Sequence, residues 1–415
     1  MSNTTPSQPA AAGGGDSPMQ TALTQHKGYY AFLVLFLVLM SALGSFVNDM
    51  YTPALPAMCR FFGCSVPLGQ MGLTMGMAGL AIGQIVLGPV SDRYGRRPVL
   101  IGSVILFIVA AVCSLFSHTI HEFNLWRLFQ GIGASGGYFL ARTIPADVYS
   151  GRPLAKLMAL TGAINGVAPA SAPVIGGVTA HAFGWKGVFV VLALFALVIL
   201  VCSPWVKESL ARSRRVTVGP LRAFAGYKVL LADRAFMTHV CLKGVALGLL
   251  FAYISATPFI MQNHYGLSET AYGLVIGFNA LFVAAGSMAA LKFKLLKRAA
   301  TVGAVVVAVA VAGVAPALWF VYSLVLFEVL IVVVMFGLGL IFTSANTLAM
   351  NEGRFKAGEA SSVLGVAGYV VGAVVSPLVG VGNILHSTAI VFVVLAVTVL
   401  WLSRRSKALA PDLQK

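Results

Sequence analysis

A chain of 415 residues that is 59% hydrophobic, only 10% charged and +0.90 in mean hydropathy cannot be an ordinary soluble domain; such values belong to a polytopic membrane protein. A formal net charge of +16 would point to nucleic acid in a soluble protein, but the placement of the charges excludes that partner here. The pattern predicts an all-α membrane protein of about twelve apolar spans, at roughly 29–55, 69–90, 98–117, 122–146, 157–180, 186–206, 236–261, 271–291, 299–319, 322–346, 358–380 and 387–403.

With the N-terminus inside, nearly all of the 28 Lys and Arg fall in the inward loops and tails, and only Arg60 and Lys186 lie in the outward loops. That asymmetry places both termini in the cytoplasm. Residues 1–27, rich in Ser, Thr, Pro, Ala and Gly, are expected to form a disordered cytoplasmic tail rather than a cleavable signal. Two six-span halves, 28–206 and 236–403, flank a cytoplasmic linker at 207–235, and 404–415 is a short inner tail. A binding site at the midplane between the halves is the expectation for such a chain. Of five cysteines only Cys59 and Cys64 face outward, as free thiols or a disulfide, and no spacing suggests a metal site.

The first span carries Asn48 and Asp49, followed by Pro53 and Pro56. A carboxylate at membrane depth costs roughly 2.5–3.5 kcal/mol on insertion scales. Asp49 therefore reads as a proton or cation site, the alternative being an acid near enough to the helix end to reach interfacial water. The second span runs into a hairpin with Gly88, Asp92, Arg93, Gly95, Arg96 and Arg97. There the Asp92 carboxylate can pair with a neighbouring guanidinium or sit at a helix N-terminus of the other half, and either contact would latch one conformation.

In the fourth span Arg127, Gly131 and Tyr138 share a helical face, with Arg142 about 60° away at roughly 100° per residue. An arginine this deep pairs with an acid or lines a wet cavity; Arg142 can also snorkel to the inner interface. In the fifth span Thr161, Asn165, Pro169 and Pro173 share a face, while Gly162, Gly166, Gly176 and Gly177 allow close helix approach. Lys243 in the seventh span either snorkels or faces a cavity, and Asn279 is a polar residue of the eighth. Glu328, the only other acid well inside a span, lies near its outward end and is expected at the interface.

These motifs together resemble the major facilitator superfamily. The hairpin from Gly88 to Arg97 resembles its loop signature between the second and third helices. The Leu125, Arg127, Gln130, Gly131 pattern resembles its fourth-helix motif for proton coupling, and APASAPVIGG resembles its fifth-helix antiporter motif. Within the superfamily, NDMYTPALP, SDRYGRRP, RLFQG, APASAPVIGG and FAYISATPFIMQNHYGLS resemble the Bcr/CflA group of drug:proton antiporters.

The resemblance implies a monomeric, multi-pass protein of the bacterial inner membrane that exports antimicrobials against an inward proton flow and needs no cofactor. Asp49 and Arg127 would couple the proton. Asn48, Asp49, Tyr138, Thr161, Asn165, Pro169, Lys243 and Asn279 would face the substrate. In the mechanism expected, Asp49 takes a proton when outward-facing and releases it inward as substrate binds or Arg127 approaches. A proton-coupled metabolite importer is the alternative within transport. An intramembrane enzyme lacks a catalytic constellation, and a receptor would need a sensor or output domain.

Overall fold

Hydrocarbon offers no hydrogen bonds, so each apolar span satisfies its backbone internally as an α-helix. The computed structural model describes residues 17–25, 27–149, 151–215, 225–321, 323–354 and 357–408; within these, the side chains of residues 24, 25, 27, 151–156, 158–166, 214, 225, 226, 321, 357 and 358 lie outside the description.

The helices run in order α1 (Pro18–Gln25), α2 (Lys27–Asp49), α3 (Leu55–Phe62), α4 (Val66–Tyr94), α5 (Arg96–Leu115), α6 (Ile120–Val148), α7 (Gly151–Cys202), α8 (Ala225–Ala232), α9 (Arg234–Pro258), α10 (Glu269–Ala290), α11 (Leu296–Pro316), α12 (Leu324–Glu352), α13 (Ala357–Leu378) and α14 (Ile384–Ala408). A 3₁₀ turn, Thr52–Ala54, joins α2 to α3, so the two form one outward-running rod. Pro53 and Pro56 occupy first-turn positions, where a missing N–H breaks no helical bond. The rod ends at Gly63, whose φ of 61° closes the helix in the left-handed region. Thr119 and Glu122 form a capping box that starts α6. Gly184, with φ 69°, folds α7 into two membrane-crossing arms.

Among the described residues these make twelve spans, all helical. Ten stretches are long and apolar enough to cross a membrane by length and composition. That reckoning takes α7 as one stretch and omits α6, whose apolar run is interrupted by Arg127 and Arg142.

Two cores form. One is built on α2–α7 with Phe36, Phe107, Phe123 and Phe189, and one on α9–α14 with Tyr253, Phe327 and Phe392. The cores meet along two seams, α4 against α13 and α7 against α10. In the first seam Thr74 Oγ1 donates to the Ala373 carbonyl at 2.9 Å and Gln70 Nε2 donates to the Ser255 carbonyl of α9 at 3.0 Å. In the second, Gly177 meets the Glu269 carbonyl and Gly273 meets the Pro173 carbonyl. Gln262 Nε2 adds a bond to the Pro53 carbonyl at 2.8 Å. These contacts seal the outward end.

One stretch differs from the sequence reading. The tail expected to be disordered over 1–27 is helical over Pro18–Gln25, because Met19 is fully buried and its N–H donates to the Glu208 carbonyl at 3.2 Å. Within the linker expected at 207–235, Ser209 and Leu210 are buried, and α8 buries Leu230 against Phe236.

Candidate functional site

Asn48 and Asp49 are consecutive on α2, so they point to different faces of the helix. Asn48 turns into the first half. Its Oδ1 accepts from Arg127 Nη2 at 3.2 Å, and the same nitrogen donates to the Val47 carbonyl at 2.6 Å. Arg127 is completely buried. Its Nη1 donates to Gln130 Oε1 and its Nε to the Gly72 carbonyl, and the guanidinium lies 4.2 Å from the centre of the Tyr51 ring. Every partner is neutral; no carboxylate among the described residues pairs with this cation. Fixed dipoles and a π face replace the water it has lost. Gly76 of α4 leaves the room it occupies, and Gly72 makes room for the Tyr51 hydroxyl beside it.

Asp49 is buried, at 8% exposure, and points away from Arg127 toward the other half. Its carboxylate forms no hydrogen bond or ion pair among the described residues, and Tyr272 of α10 and Tyr369 of α13 lie within its electrostatic reach. The expected approach of Arg127 to Asp49 is thus not made here. Around them, Tyr138 packs against Gly44 of α2, and Arg142 stacks on the Tyr138 ring at 4.1 Å. Arg142 also faces Lys243 of the second half, whose Nζ donates to Asn346 Oδ1 at 2.8 Å. Both cations therefore line the space between the halves.

Of the fifth-helix residues, Thr161, Gly162, Asn165 and Gly166 have side chains outside the described residues. Pro169 is half-buried. Pro173 offers its carbonyl to Gly273; Gly176 lies against the Met50 carbonyl and Gly177 against that of Glu269. This part of α7 is a wedge between α2 and α10.

Asn279 joins a different cluster. Its Nδ2 donates to Tyr253 Oη at 2.7 Å and to Glu328 Oε2 at 2.8 Å. Glu328, expected at the interface, is half-buried: Asn279 of α10 holds its Oε2, and its Oε1 is buried without a hydrogen-bond partner.

The hairpin is held within the first half rather than by a helix of the second. Arg96 pairs with Asp92 at 2.6 Å and with Asp147 at 2.9 Å, and it also donates to Ser91 Oγ. Glu208 accepts from the backbone N–H of Arg96 and Arg97, and Arg97 Nη2 donates to the Pro204 carbonyl. Gly95 turns with φ 105° against Glu208 and Arg215, while Gly88 packs under Phe139. Arg93 lies over Tyr94, 5.4 Å from its ring centre. Asp147, Glu208, Tyr51, Tyr253 and Tyr272 are participants that the sequence reading did not assign.

Two helical cores, sealed on one side and carrying buried charge where they meet, define a membrane transporter. The chain belongs to the Major Facilitator Superfamily, whose model matches residues 34–377. It is 34% identical over 360 residues to an uncharacterized MFS-type transporter, YdgK, of Bacillus subtilis, covering 85% of this chain and 89% of that one. It is 26% identical over 322 residues to the multidrug resistance protein MdtL of Klebsiella pneumoniae, covering 77% and 81%. Among solved structures it is similar to a bacterial homolog of the human lysosomal transporter Spinster in an inward-facing, occupied conformation (TM-score 0.74, 16% identity, 92% and 98% covered). It is also similar to the xylose transporter XylE of E. coli (TM-score 0.72, 15% identity, 93% and 98% covered). At these identities the two structures speak to the fold alone.

Proposed function

We propose that this protein is a proton-coupled antiporter of the bacterial cytoplasmic membrane that exports small-molecule antimicrobials, with Bcr/CflA-type exporters as its functional kin. The observation that carries the reading is Asp49: a carboxylate buried at membrane depth, facing the seam between the halves, with no fixed counter-ion among the described residues. A group so placed is free to be neutralised by a proton in one conformation and by a substrate in the other. Competition of the two for one carboxylate produces exchange. The membrane potential supplies about 2.3 kcal/mol per charge per 100 mV.

Arg127 acts by position in this scheme. Its bonds to the Val47 carbonyl and to Asn48 fix α2 one residue before Asp49 and turn the carboxylate outward from the first core. The Pro169, Pro173, Gly176 and Gly177 wedge supports antiport because it seats α7 tightly against α10. The likeness to MdtL adds the substrate class. The protein works as a monomer.

The test is drug susceptibility of an efflux-deficient bacterium expressing the wild type or Asp49→Asn. The panel holds a fluoroquinolone, a chloramphenicol-type compound, a peptide-derived bicyclic antibiotic and lipophilic cations. Resistance to at least one compound, lost in Asp49→Asn with the protein still in the membrane, is the expected result. Full resistance in the variant would remove Asp49 from the mechanism, and no resistance to any compound would remove the export reading.

A further inference from the structure

The exchange scheme uses one intramembrane carboxylate, and the second half holds another. Glu328 stands in the second turn of α12. Its Oε2 accepts from Asn279 Nδ2, which is also bonded to Tyr253 Oη. Its Oε1 is buried and has no hydrogen-bond partner. The titratable groups that face it from the packed helices are Tyr253 of α9 and Tyr272 of α10. The cations of those helices are remote. Lys243 lies ten residues before Tyr253 on α9, roughly 15 Å at the helical rise. Lys297 opens α11 at the cytoplasmic end, whereas Glu328 lies near the outward end of α12.

Glu328 is half-buried, but its Oε1 is shut from solvent and unpaired and no ion pair reaches it among the described residues, so ionising it carries a penalty. A proton on that oxygen removes the penalty, so the pocket is shaped for reversible protonation. One residue lies near both this pocket and Asp49. Tyr272 lies within electrostatic reach of both carboxylates, and its Oη approaches Thr257 Oγ1 at 3.4 Å and Thr52 of the first half. Thr52 in turn donates to the Asp49 backbone carbonyl at 2.9 Å. Tyr272 thus stands between the two acids at the outward seal, within electrostatic reach of each, and the hydrogen bonds beyond it end on the Asp49 backbone carbonyl.

We propose that Glu328 is a second proton-binding site of the transport cycle, set in the second half opposite Asp49 and coupled to it through Tyr272. Its part in the cycle rests on the exchange reading of Asp49. The step is a plain acid dissociation: the carboxyl O–H bond breaks, the proton passes to water, and the electron pair stays on Glu328. Two carboxylates allow two protons to enter per exported molecule.

The experiment is infrared difference spectroscopy of the full-length protein in lipid bilayers, acid against alkaline, in the carbonyl-stretch region of protonated carboxylic acids. The wild type is compared with Asp49→Asn and Glu328→Gln. The expected wild-type spectrum has two buried-carboxyl bands that titrate and shift in heavy water. Glu328→Gln removes one, and Asp49→Asn removes the other while moving the midpoint of the Glu328 band. An unchanged spectrum in Glu328→Gln overturns the proposal, as does a Glu328 band that persists at every pH tested, which would mark a fixed structural donor.

Glutamine keeps the acceptor for Asn279. Should that variant not assemble, Asn279→Ala must shift the Glu328 band in frequency, and an unmoved band overturns the assignment. The measurement reads no transport. A protein that fails the susceptibility test can still show the Glu328 band, and a working exporter can lack it, so the two readings fail separately.

Discussion

Gly277→Ala should push the transporter toward its outward-open state. Gly277 sits on α10, and a Cβ there would lie 2.7 Å from the Ala170 carbonyl oxygen of α7 and 2.7 Å from Val174 Cγ2. Ordinary contact begins near 3.4 Å, so the helices must part by several tenths of an ångström. The oxygen is backbone and Val174 is stiff at χ1, so neither swings aside freely. Overpacking of this kind costs about 1–3 kcal/mol. Because α7 and α10 belong to different halves, the cost falls on the outward-closed state and is released when their outward parts separate. The equilibrium between the two states then moves by roughly 5- to 150-fold.

Spin labels at His118 and Val381, exposed at the outward ends of opposite halves, read that separation by electron–electron distance measurement after replacement of the five native cysteines. A growing long-distance population is expected, larger in Gly177→Ala, where the carbonyl of Glu269 is closer still. An unchanged distance distribution in both variants would refute the claim that these glycines set the outward seal.

Arg127→Met should leave the Val47 carbonyl, Asn48 and Gln130 unpaired in the first core. At about 1–3 kcal/mol per buried unsatisfied group, the melting temperature in detergent should fall clearly, and Arg127→Lys should recover only part of it because one ammonium cannot reach all partners. In the hairpin, Asp147→Asn should be far more damaging than Asp92→Asn. The Asp147 side chain is 13% exposed and bonded to both Arg96 and Ser209, and breaking such a buried pair costs about 3 kcal/mol. Asp92 is 43% exposed, so its pair with Arg96 is worth roughly 1 kcal/mol or less. Thermal stability and transport rate of the two variants decide the order.

Local signals made the architecture readable. Apolar length marked the spans, inward Lys and Arg fixed their direction, and Gly95 with its flanking charges marked the hairpin. Pairings between distant helices were not readable, because helix rotation decides them. Nothing near Arg96 in the chain names Asp147 or Glu208, which lie 51 and 112 residues away. Glu328 shows the same: nothing near it in the chain names Asn279, which holds its carboxylate from 49 residues away. The buried tail helix depends on Met19, Ala22 and Leu23, and on the Glu208 carbonyl that accepts from the Met19 N–H 189 residues away along the chain.

In the proposed exchange, the separation of Arg127 from Asp49 is what would make the carboxylate usable. Were the two a buried ion pair, each protonation of Asp49 would strand the guanidinium, and breaking such a pair costs about 3–5 kcal/mol. That exceeds the roughly 2.3 kcal/mol that one charge gains from 100 mV of membrane potential. Here the guanidinium is satisfied by the Val47 and Gly72 carbonyls, by Asn48 and Gln130 and by the Tyr51 ring, none of which changes charge. In the exchange proposed above, Asp49 would then gain or lose its proton while the buried cation keeps all of these neutral partners. Asn48 has to be neutral for this to hold: a second acid at that position would tie the arginine to a titrating partner and return the cost to every cycle.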